Sequence, residues 1–179
     1  MPDYRRIKTE GGAFFFTVVT HKRQPLFNSI ECIEMLRASI SETRRIAAFR
    51  IDAWVLLPDH MHCIWTLPDN DDDYSQRWGM IKAGLTKKIK HMLPGGQASS
   101  SRKKHRESSI WKRRFWEHRI RDDRDLLMHT DYIHYNPVRH GYVERVQDWP
   151  YSTFHKYVDQ GVYPIDWAGD GMEDAEYGE

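Results

Sequence analysis

Stretches rich in apolar and β-branched residues predict four β-strands along the chain. Ala13–Thr20 combines Phe, Val and Thr and contains three consecutive Phe, which is typical of a central strand buried on both faces. Ile51–Leu57 predicts a second strand. The Pro58-Asp59 turn signal then leads directly into a third strand that carries His60, so these two strands should form an antiparallel hairpin. The side chains along Arg114–Arg121 alternate in character well enough to predict a fourth strand.

Apolar residues at helical spacing predict three helices between and after these strands. The first begins after Ser29, a candidate N-cap, and the second follows the apolar stripe from Trp78 to Met92. The third begins near Asp122. It should end near Asn136, because a residue that precedes proline is disfavoured in the helical conformation.

The order of these elements suggests an α+β fold with a ferredoxin-like, split βαβ topology. We expect an antiparallel sheet with helices mainly on one face, and a C-terminal helix that carries candidate catalytic residues. Residues 1–165 are expected to form a single domain and residues 166–179 an acidic C-terminal tail. The segment Pro94–Ser109 has few apolar residues and is interpreted as a mobile loop.

Composition places the chain among globular proteins. It has 179 residues, of which 40% are apolar and 30% charged, enough for one domain with a real core. The chain has two cysteines, Cys32 and Cys63, which are too few for a disulfide framework and fit a reducing compartment. A single disulfide between them is the alternative. The sequence shows neither a signal peptide nor an apolar run of membrane-spanning length, so we expect no membrane contact and a cytoplasmic protein.

The net charge of +1 conceals a strong segregation of charge. The tail 166–179 holds six acidic residues and no Lys or Arg, which leaves 27 basic against 20 acidic residues in the rest of the chain. The tail is either a solubilising segment or an internal competitor that covers a basic DNA channel.

Within Arg102–Arg121 there are nine Lys/Arg and two Glu, interleaved with Trp111, Phe115 and Trp116. Such a cluster fits a solvated surface, but it also suits nucleic acid, because cations bind phosphate and aromatic faces stack on unpaired bases. The candidate DNA contacts are Arg5, Arg6, Arg102, Lys103, Lys104, Arg106, Lys112, Arg113, Arg114, Trp116, Arg119 and Arg121.

The third predicted strand carries two histidines separated by one residue. Side chains alternate along a strand, so His60 and His62 should project from the same face, with Met61 and Cys63 directed toward the core. Two imidazole nitrogens on one face can bind a single metal ion. The same pattern also fits two polar residues on a solvated strand face.

The last predicted helix carries a second candidate group. Residues four apart share a helix face, so Tyr132 and Asn136 should lie side by side, with His129 on the same side. If this face meets the histidine strand, Asn136 can offer an oxygen to the metal and Tyr132 can attack a metal-bound phosphodiester. His129 and His134 are candidate acceptors of the phenolic proton. Tyr135 competes with Tyr132 as the nucleophile, and a tyrosine at the edge of a core is the structural alternative.

Several motifs resemble a known family. The stretch Trp54–Trp65, WVLLPDHMHCIW, resembles the signature of the HUH endonucleases, specifically the single-tyrosine transposases. The segments FWEHRIR at 115–121 and DYIHYNPVRHG at 131–141 resemble the REP-associated tyrosine transposases of bacteria, as do the opening YRR and the closing WPYSTFH. The resemblance runs from about Tyr4 to Gly169. The segment PGGQASSSRKKHR at 94–106 is longer than this pattern leads us to expect.

This resemblance implies a single-stranded DNA endonuclease and strand transferase that acts on palindromic hairpin repeats. By the family pattern His60, His62 and Asn136 bind a divalent metal, Mg²⁺ or Mn²⁺, and Tyr132 forms a 5′-phosphotyrosine and leaves a free 3′-OH. Members of this subgroup tend to be monomers, with a dimer as the other option. The alternatives are a domesticated relative that holds hairpin DNA without cutting it, and a zinc hydrolase of the amidohydrolase type, which needs a barrel of about 250 residues.

Overall fold

The computed structural model describes residues 11–92 and 110–169, which form a four-stranded antiparallel sheet with helices on both faces. The strands are β1 (Gly12–Val19), β2 (Arg50–Leu56), β3 (His60–Leu67) and β4 (Trp116–Arg119). The helices are α1 (Ile30–Ile46), α2 (Tyr74–Ile89), α3 (Asp123–Arg139) and α4 (Phe154–Asp159). The predicted loop at 94–109, the tail beyond residue 169 and six candidate DNA contacts lie outside the described residues: Arg5, Arg6, Arg102, Lys103, Lys104 and Arg106.

The strand order β2-β3-β1-β4 confirms the ferredoxin-like, split βαβ topology. In this order β1 lies between β3 and β4 and pairs antiparallel with both. A central strand is covered on both faces, which explains why the adjacent Phe14, Phe15 and Phe16 are all fully buried. The predicted hairpin of β2 and β3 is also confirmed, with Leu56 paired to Met61 next to the turn.

Helices α1 and α2 pack on one face of the sheet and form the larger core. Trp65 of β3 stacks on Trp78 of α2 with ring centroids 4.1 Å apart. Ser29 caps α1 as predicted, because its side chain accepts a hydrogen bond from the Cys32 amide. The alternation along β3 places Met61 and Cys63 in this same core. The neighbouring histidines therefore face the opposite side of the sheet.

Helix α3 covers that opposite side and forms a second, smaller core. Its residues Tyr132 and Ile133 pack with Phe15 of β1, Val55 of β2 and Ile64 of β3. This helix begins as predicted, because the Asp122 side chain accepts a hydrogen bond from the Asp125 amide and caps the first turn.

The predicted end of α3 at Asn136 is wrong, since the helix continues through Pro137 to Arg139. The conformational bias on a residue before proline is a preference that packing can outweigh. Both Asn136 and Pro137 are buried, and their carbonyls accept hydrogen bonds from the amides of His140 at 3.0 Å and Tyr142 at 2.9 Å. Tertiary contacts and this hydrogen-bonded end therefore extend the helix by one turn.

The chain after α3 packs against the back of that helix and the edge of β2. The amide of Leu56 donates to the Tyr151 carbonyl at 2.9 Å, and Thr153 makes a similar bond to Trp54. Trp167, which lies in the predicted tail, packs on Tyr163 with ring centroids 4.7 Å apart. None of the helices in the described ranges has the length and hydropathy needed to cross a bilayer.

Candidate metal and nucleophile site

His60 and His62 lie next to each other on the α3 side of β3, with ring centroids 5.0 Å apart. Both side chains are fully buried, at 0% exposure. The alternative of two polar residues on a solvated strand face therefore does not describe them. A buried imidazole needs polar partners, and the partners of these two rings define the site.

Each ring is oriented through its Nδ1 atom. His62 Nδ1 lies 2.9 Å from Thr17 Oγ1, and His60 Nδ1 lies 2.5 Å from Asp59 Oδ1. The other Asp59 oxygen lies 3.2 Å from the guanidinium of Arg23. Burial raises the pKa of Asp59, but the hydrogen bonds and charges of His60 and Arg23 outweigh it, so the carboxyl group is ionised. Metal-binding histidines in proteins are typically held in this way, with Nδ1 bonded and Nε2 directed at the metal.

Helix α3 supplies the opposite wall of the site. The Tyr132 ring lies 5.1 Å from the His62 ring, and Asn136 is fully buried one turn further along the helix. His60 Nε2, His62 Nε2 and Asn136 Oδ1 are buried atoms that make no hydrogen bond, although each of these residues has other contacts. Two imidazole nitrogens and one amide oxygen are a donor set that suits a divalent cation with positions left for water or phosphate oxygen. The residues present therefore fit a divalent metal.

His129 is linked through Phe15 both to the nucleophile candidate and to one of the candidate metal ligands. Its ring is 4.8 Å from the Phe15 ring, which in turn contacts the rings of Tyr132 and His62. His129 Nδ1 donates to the Asp125 carbonyl at 2.8 Å. Burial lowers the pKa of His129, so its imidazole is neutral near pH 7 and Nε2 carries a lone pair.

Asp125 joins His129 to His118, two residues that the sequence did not connect. The Asp125 carboxylate lies 2.8 Å from His118 Nε2, and the His118 and His129 rings stack 4.6 Å apart. The ligand-type atoms of these three residues lie within 4.8 Å of one another. The Arg121 guanidinium also donates to Asp125, and a cation there disfavours a metal ion, so we interpret the cluster as a hydrogen-bond network.

The structure does not bring His134 to the site. Its Nε2 lies 2.9 Å from Thr153 Oγ1 on the back of α3, and its ring packs against Tyr157 at 5.0 Å. Burial lowers the pKa of His134 to about 3, so its imidazole is neutral near neutral pH. The Tyr135 ring likewise packs on the C-terminal segment, close to Trp167 and against Gly169.

Two further residues at the end of α3 reach the site, and sequence reasoning missed both. The His140 ring lies 5.1 Å from the His60 ring. The Arg139 guanidinium lies over the Tyr132 ring, with Cζ 5.4 Å from the centroid. His140 follows Asn136 by four residues and Arg139 follows Tyr132 by seven, and both are helical spacings. The sequence prediction did not use these spacings, because the helix was expected to end before Pro137.

The basic residues that the structure describes are mainly exposed, whereas two of the interleaved aromatic residues are not. Trp111 is 5% exposed and Phe115 is 8% exposed, and both belong to the larger core. The expectation that their faces stack on bases is therefore wrong. Trp116 is half-buried beside Phe15. The exposed candidates are Lys112, Arg113, Arg114, Arg119 and Arg121.

Comparison with known proteins identifies close relatives. The family model described as "Transposase IS200 like" matches residues 12–136. A REP-associated tyrosine transposase of Escherichia coli K12 is 47% identical over 95% of this chain and 93% of its own length. A Haemophilus influenzae protein provisionally assigned to the same group is 46% identical over 94% of each chain. A solved structure of a REP-associated tyrosine transposase bound to a REP hairpin superposes with a TM-score of 0.84 at 46% identity, and the match covers 100% of this chain and 98% of that one.

Proposed function

This chain belongs to the IS200-like transposase family and, within it, to the REP-associated tyrosine transposases, and from that premise we propose that it cleaves and rejoins single-stranded DNA beside palindromic hairpins. The observation that carries the proposal is the contact between Tyr132 of α3 and His62 of β3, with ring centroids 5.1 Å apart. This contact supports the proposal because attack on a bound phosphate requires the nucleophile and the cation site to be held close together.

His60, His62 and Asn136 would hold the divalent cation, Mg²⁺ or Mn²⁺. When bound, the cation supplies Lewis-acid polarisation of the scissile phosphate and offsets the negative charge that builds in the transition state. Imidazole ligands favour Mn²⁺ over Mg²⁺ in affinity, whereas the amide oxygen suits either ion.

Tyr132 performs the covalent step. Its phenolic oxygen attacks the phosphorus, the bond between phosphorus and the 3′ oxygen breaks, and the phenolic proton leaves. The products are a 5′-phosphotyrosine and a 3′ oxygen that takes up a proton to become a 3′-OH. In the rejoining step a 3′-OH attacks the phosphotyrosine, and the proton returns to Tyr132.

His129 is the group that we assign to this proton. It is one helical turn before Tyr132 and is neutral near pH 7, and its Nδ1 bond to the Asp125 carbonyl leaves Nε2 as the acceptor. His134 receives no role in the reaction, because its ring packs on the opposite side of α3.

Hairpin DNA is the proposed substrate and partner, and a monomer the proposed active form. The solved relative is bound to a REP hairpin, and this chain covers that relative almost completely. Exposed arginines and lysines beside β4, including Lys112, Arg114 and Arg119, can neutralise backbone phosphates.

A covalent-adduct assay tests the proposal. The protein is incubated with Mg²⁺ or Mn²⁺ and a labelled oligonucleotide that carries a hairpin and single-stranded flanks. We expect an adduct that survives denaturing electrophoresis for the wild type and for Tyr135→Phe, which removes the neighbouring hydroxyl. Tyr132→Phe should form no adduct. An adduct on Tyr132→Phe would show that the nucleophile is assigned wrongly. Tight, salt-sensitive binding without any cleavage would favour the non-cleaving, domesticated alternative.

A further inference from the structure

Arg139 is an exposed cation at the last turn of α3, directly beside the nucleophile candidate. Its guanidinium Cζ lies 5.4 Å from the centroid of the Tyr132 ring, within the range of a cation–π contact. The two residues are seven positions apart, which is two helical turns, so they share one face of the helix. This contact attracts the guanidinium to the ring without cancelling its charge.

The position of Arg139 depends on the extra turn that follows Pro137. If α3 ended at Asn136, Arg139 would leave the helix and lose its register with Tyr132. The amides of His140 and Tyr142 instead close the helix by bonding to the carbonyls of Asn136 and Pro137. The His140 ring also lies 5.1 Å from the His60 ring, which ties this last turn to the histidine side of the site.

The chemistry of the proposed reaction calls for a cation at this place. Negative charge on the phosphate oxygens is redistributed when the phenolic oxygen attacks, and the metal site lies on the His62 side of the Tyr132 ring. A guanidinium is always protonated and presents N–H donors in a planar fork that matches two phosphate oxygens. The aliphatic stem of an exposed arginine can lie along the helix while its charged head reaches solvent and substrate.

We propose that Arg139 is a catalytic residue that donates hydrogen bonds to the nonbridging oxygens of the scissile phosphate while Tyr132 attacks. This inference rests on the proposed function and assigns it a residue beyond the metal ligands and the nucleophile. Arg139 forms and breaks no covalent bond and keeps its proton throughout. The phenolic proton leaves by the route described above, so the atoms and charges of the reaction still balance.

Single-turnover cleavage of the hairpin oligonucleotide gives the first test. Arg139→Gln should slow adduct formation by about 100-fold, the order of loss seen when a donor to a developing oxyanion is removed. Arg139→Lys should recover part of the rate, because it restores the charge but not the two-pronged geometry. The matched control is Arg45→Gln, which removes the same charge from an exposed position on α1, on the opposite face of the sheet. This control should cleave at the wild-type rate.

A binding cycle that needs no turnover gives the second test. Tyr132→Phe is used as the background, since it keeps the aromatic ring that Arg139 contacts. Affinity is measured for the normal oligonucleotide and for one with a methylphosphonate at the scissile position, with and without Arg139→Gln. We expect Arg139→Gln to weaken binding of the phosphodiester and to change binding of the methylphosphonate much less. Thermal melting of each variant reports whether the fold is retained.

The outcomes separate this inference from the one it rests on. Wild-type cleavage together with an unchanged rate for Arg139→Gln overturns the role of Arg139 and leaves the proposed function standing. An equal loss of affinity for both oligonucleotides also overturns it, because Arg139 would then act on the fold or on distant phosphates. Failure of the wild type to form any adduct overturns both.

Discussion

Asp59 and Thr17 decide which nitrogen of each histidine faces the site. A histidine whose Nδ1 donates to a carboxylate or hydroxyl oxygen presents the lone pair of Nε2 to a metal, and a carboxylate also makes the imidazole a stronger ligand. Asp59 in turn is held by Arg23 at 3.2 Å. At the scale of single residues, the groups behind the ligands are therefore as much a part of the candidate metal site as the ligands themselves.

Asp59→Asn should weaken Mn²⁺ binding by about 10- to 100-fold, the range typical of such outer partners. The amide keeps the shape of Asp59 but removes the charge that strengthens His60. The measurement is calorimetric titration of Mn²⁺ into the protein without DNA. Asp52→Asn is the control, since Asp52 pairs with Arg50 at the surface of β2, away from the histidines. Equal affinity in the Asp59 and Asp52 variants would contradict the orienting role.

Tyr132 and Tyr135 lie three positions apart on α3 but pack in different environments. Tyr132 faces the His62 ring, whereas Tyr135 contacts the C-terminal segment. Gly169 packs so closely on Tyr135 that a Cβ atom there would lie 2.4 Å from the Tyr135 ring. With φ of +77°, Gly169 also occupies a backbone conformation that other residues avoid. The proposal of Tyr132 rather than Tyr135 as the nucleophile rests on the side of α3 that each residue occupies.

Helix α3 is buried on two faces. One face packs Tyr132 against the sheet, with Asn136 buried one turn further along, and the other carries His134 toward Thr153 and α4. The Thr153 hydroxyl also bonds the backbone of Trp54 in β2, so His134 couples α3 to the sheet edge. Burial on both faces fixes the rotation of the helix, and this rotation is what aims Tyr132.

His134 should make the fold sensitive to acid. Its pKa is about 3 in the folded protein, against an ordinary value of 6.5, because burial disfavours the charged form. Below pH 6.5 the unfolded chain therefore binds a proton that the folded chain does not, and the free energy of unfolding falls as the pH falls toward 3. The slope is at most about 1.4 kcal/mol per pH unit.

The variant His134→Gln should lose this part of the pH dependence. Denaturant unfolding between pH 4 and pH 7 measures the slope for both proteins, and the slopes are compared rather than the absolute stabilities. Parallel slopes would show that His134 is not the group that binds the additional proton on unfolding.

At the scale of the whole molecule, the acidic residues of the last 14 positions occur without any Lys or Arg, and all the basic residues lie earlier in the sequence. The chain carries 27 basic residues and a formal net charge of only +1. Trp167 packs on Tyr163, and a truncation placed after Gly169 keeps this contact.

Truncation after Gly169 removes five acidic residues and no basic ones, which raises the net charge to +6. If the tail competes with DNA, the truncated protein should bind hairpin DNA more tightly at low salt, and the difference should vanish as salt screens the charges. Fluorescence anisotropy over a salt series measures this. A tail of equal length with Ser at the acidic positions is the control and should behave like the truncation. Identical salt curves for the truncated and full-length proteins would eliminate competition by the tail.

Sequence by itself determined what depends on local geometry. Alternation along a strand placed His60 and His62 on one face and Met61 on the other, and helical spacing placed Tyr132 beside Asn136. These relations follow from the fixed periods of strand and helix. The order of the elements was enough for the ferredoxin-like topology, because few arrangements of such a chain cover both faces of one sheet.

Only the tertiary structure decided what depends on packing between distant segments. Thr17 reaches His62 across 45 residues, a pairing set by the register of β1 against β3. The continuation of α3 through Pro137 reflects buried contacts that outweigh a local backbone preference, and it is this turn that brings Arg139 to Tyr132. Local periods fix which side chains share a face, whereas the free energy of burial fixes which faces meet.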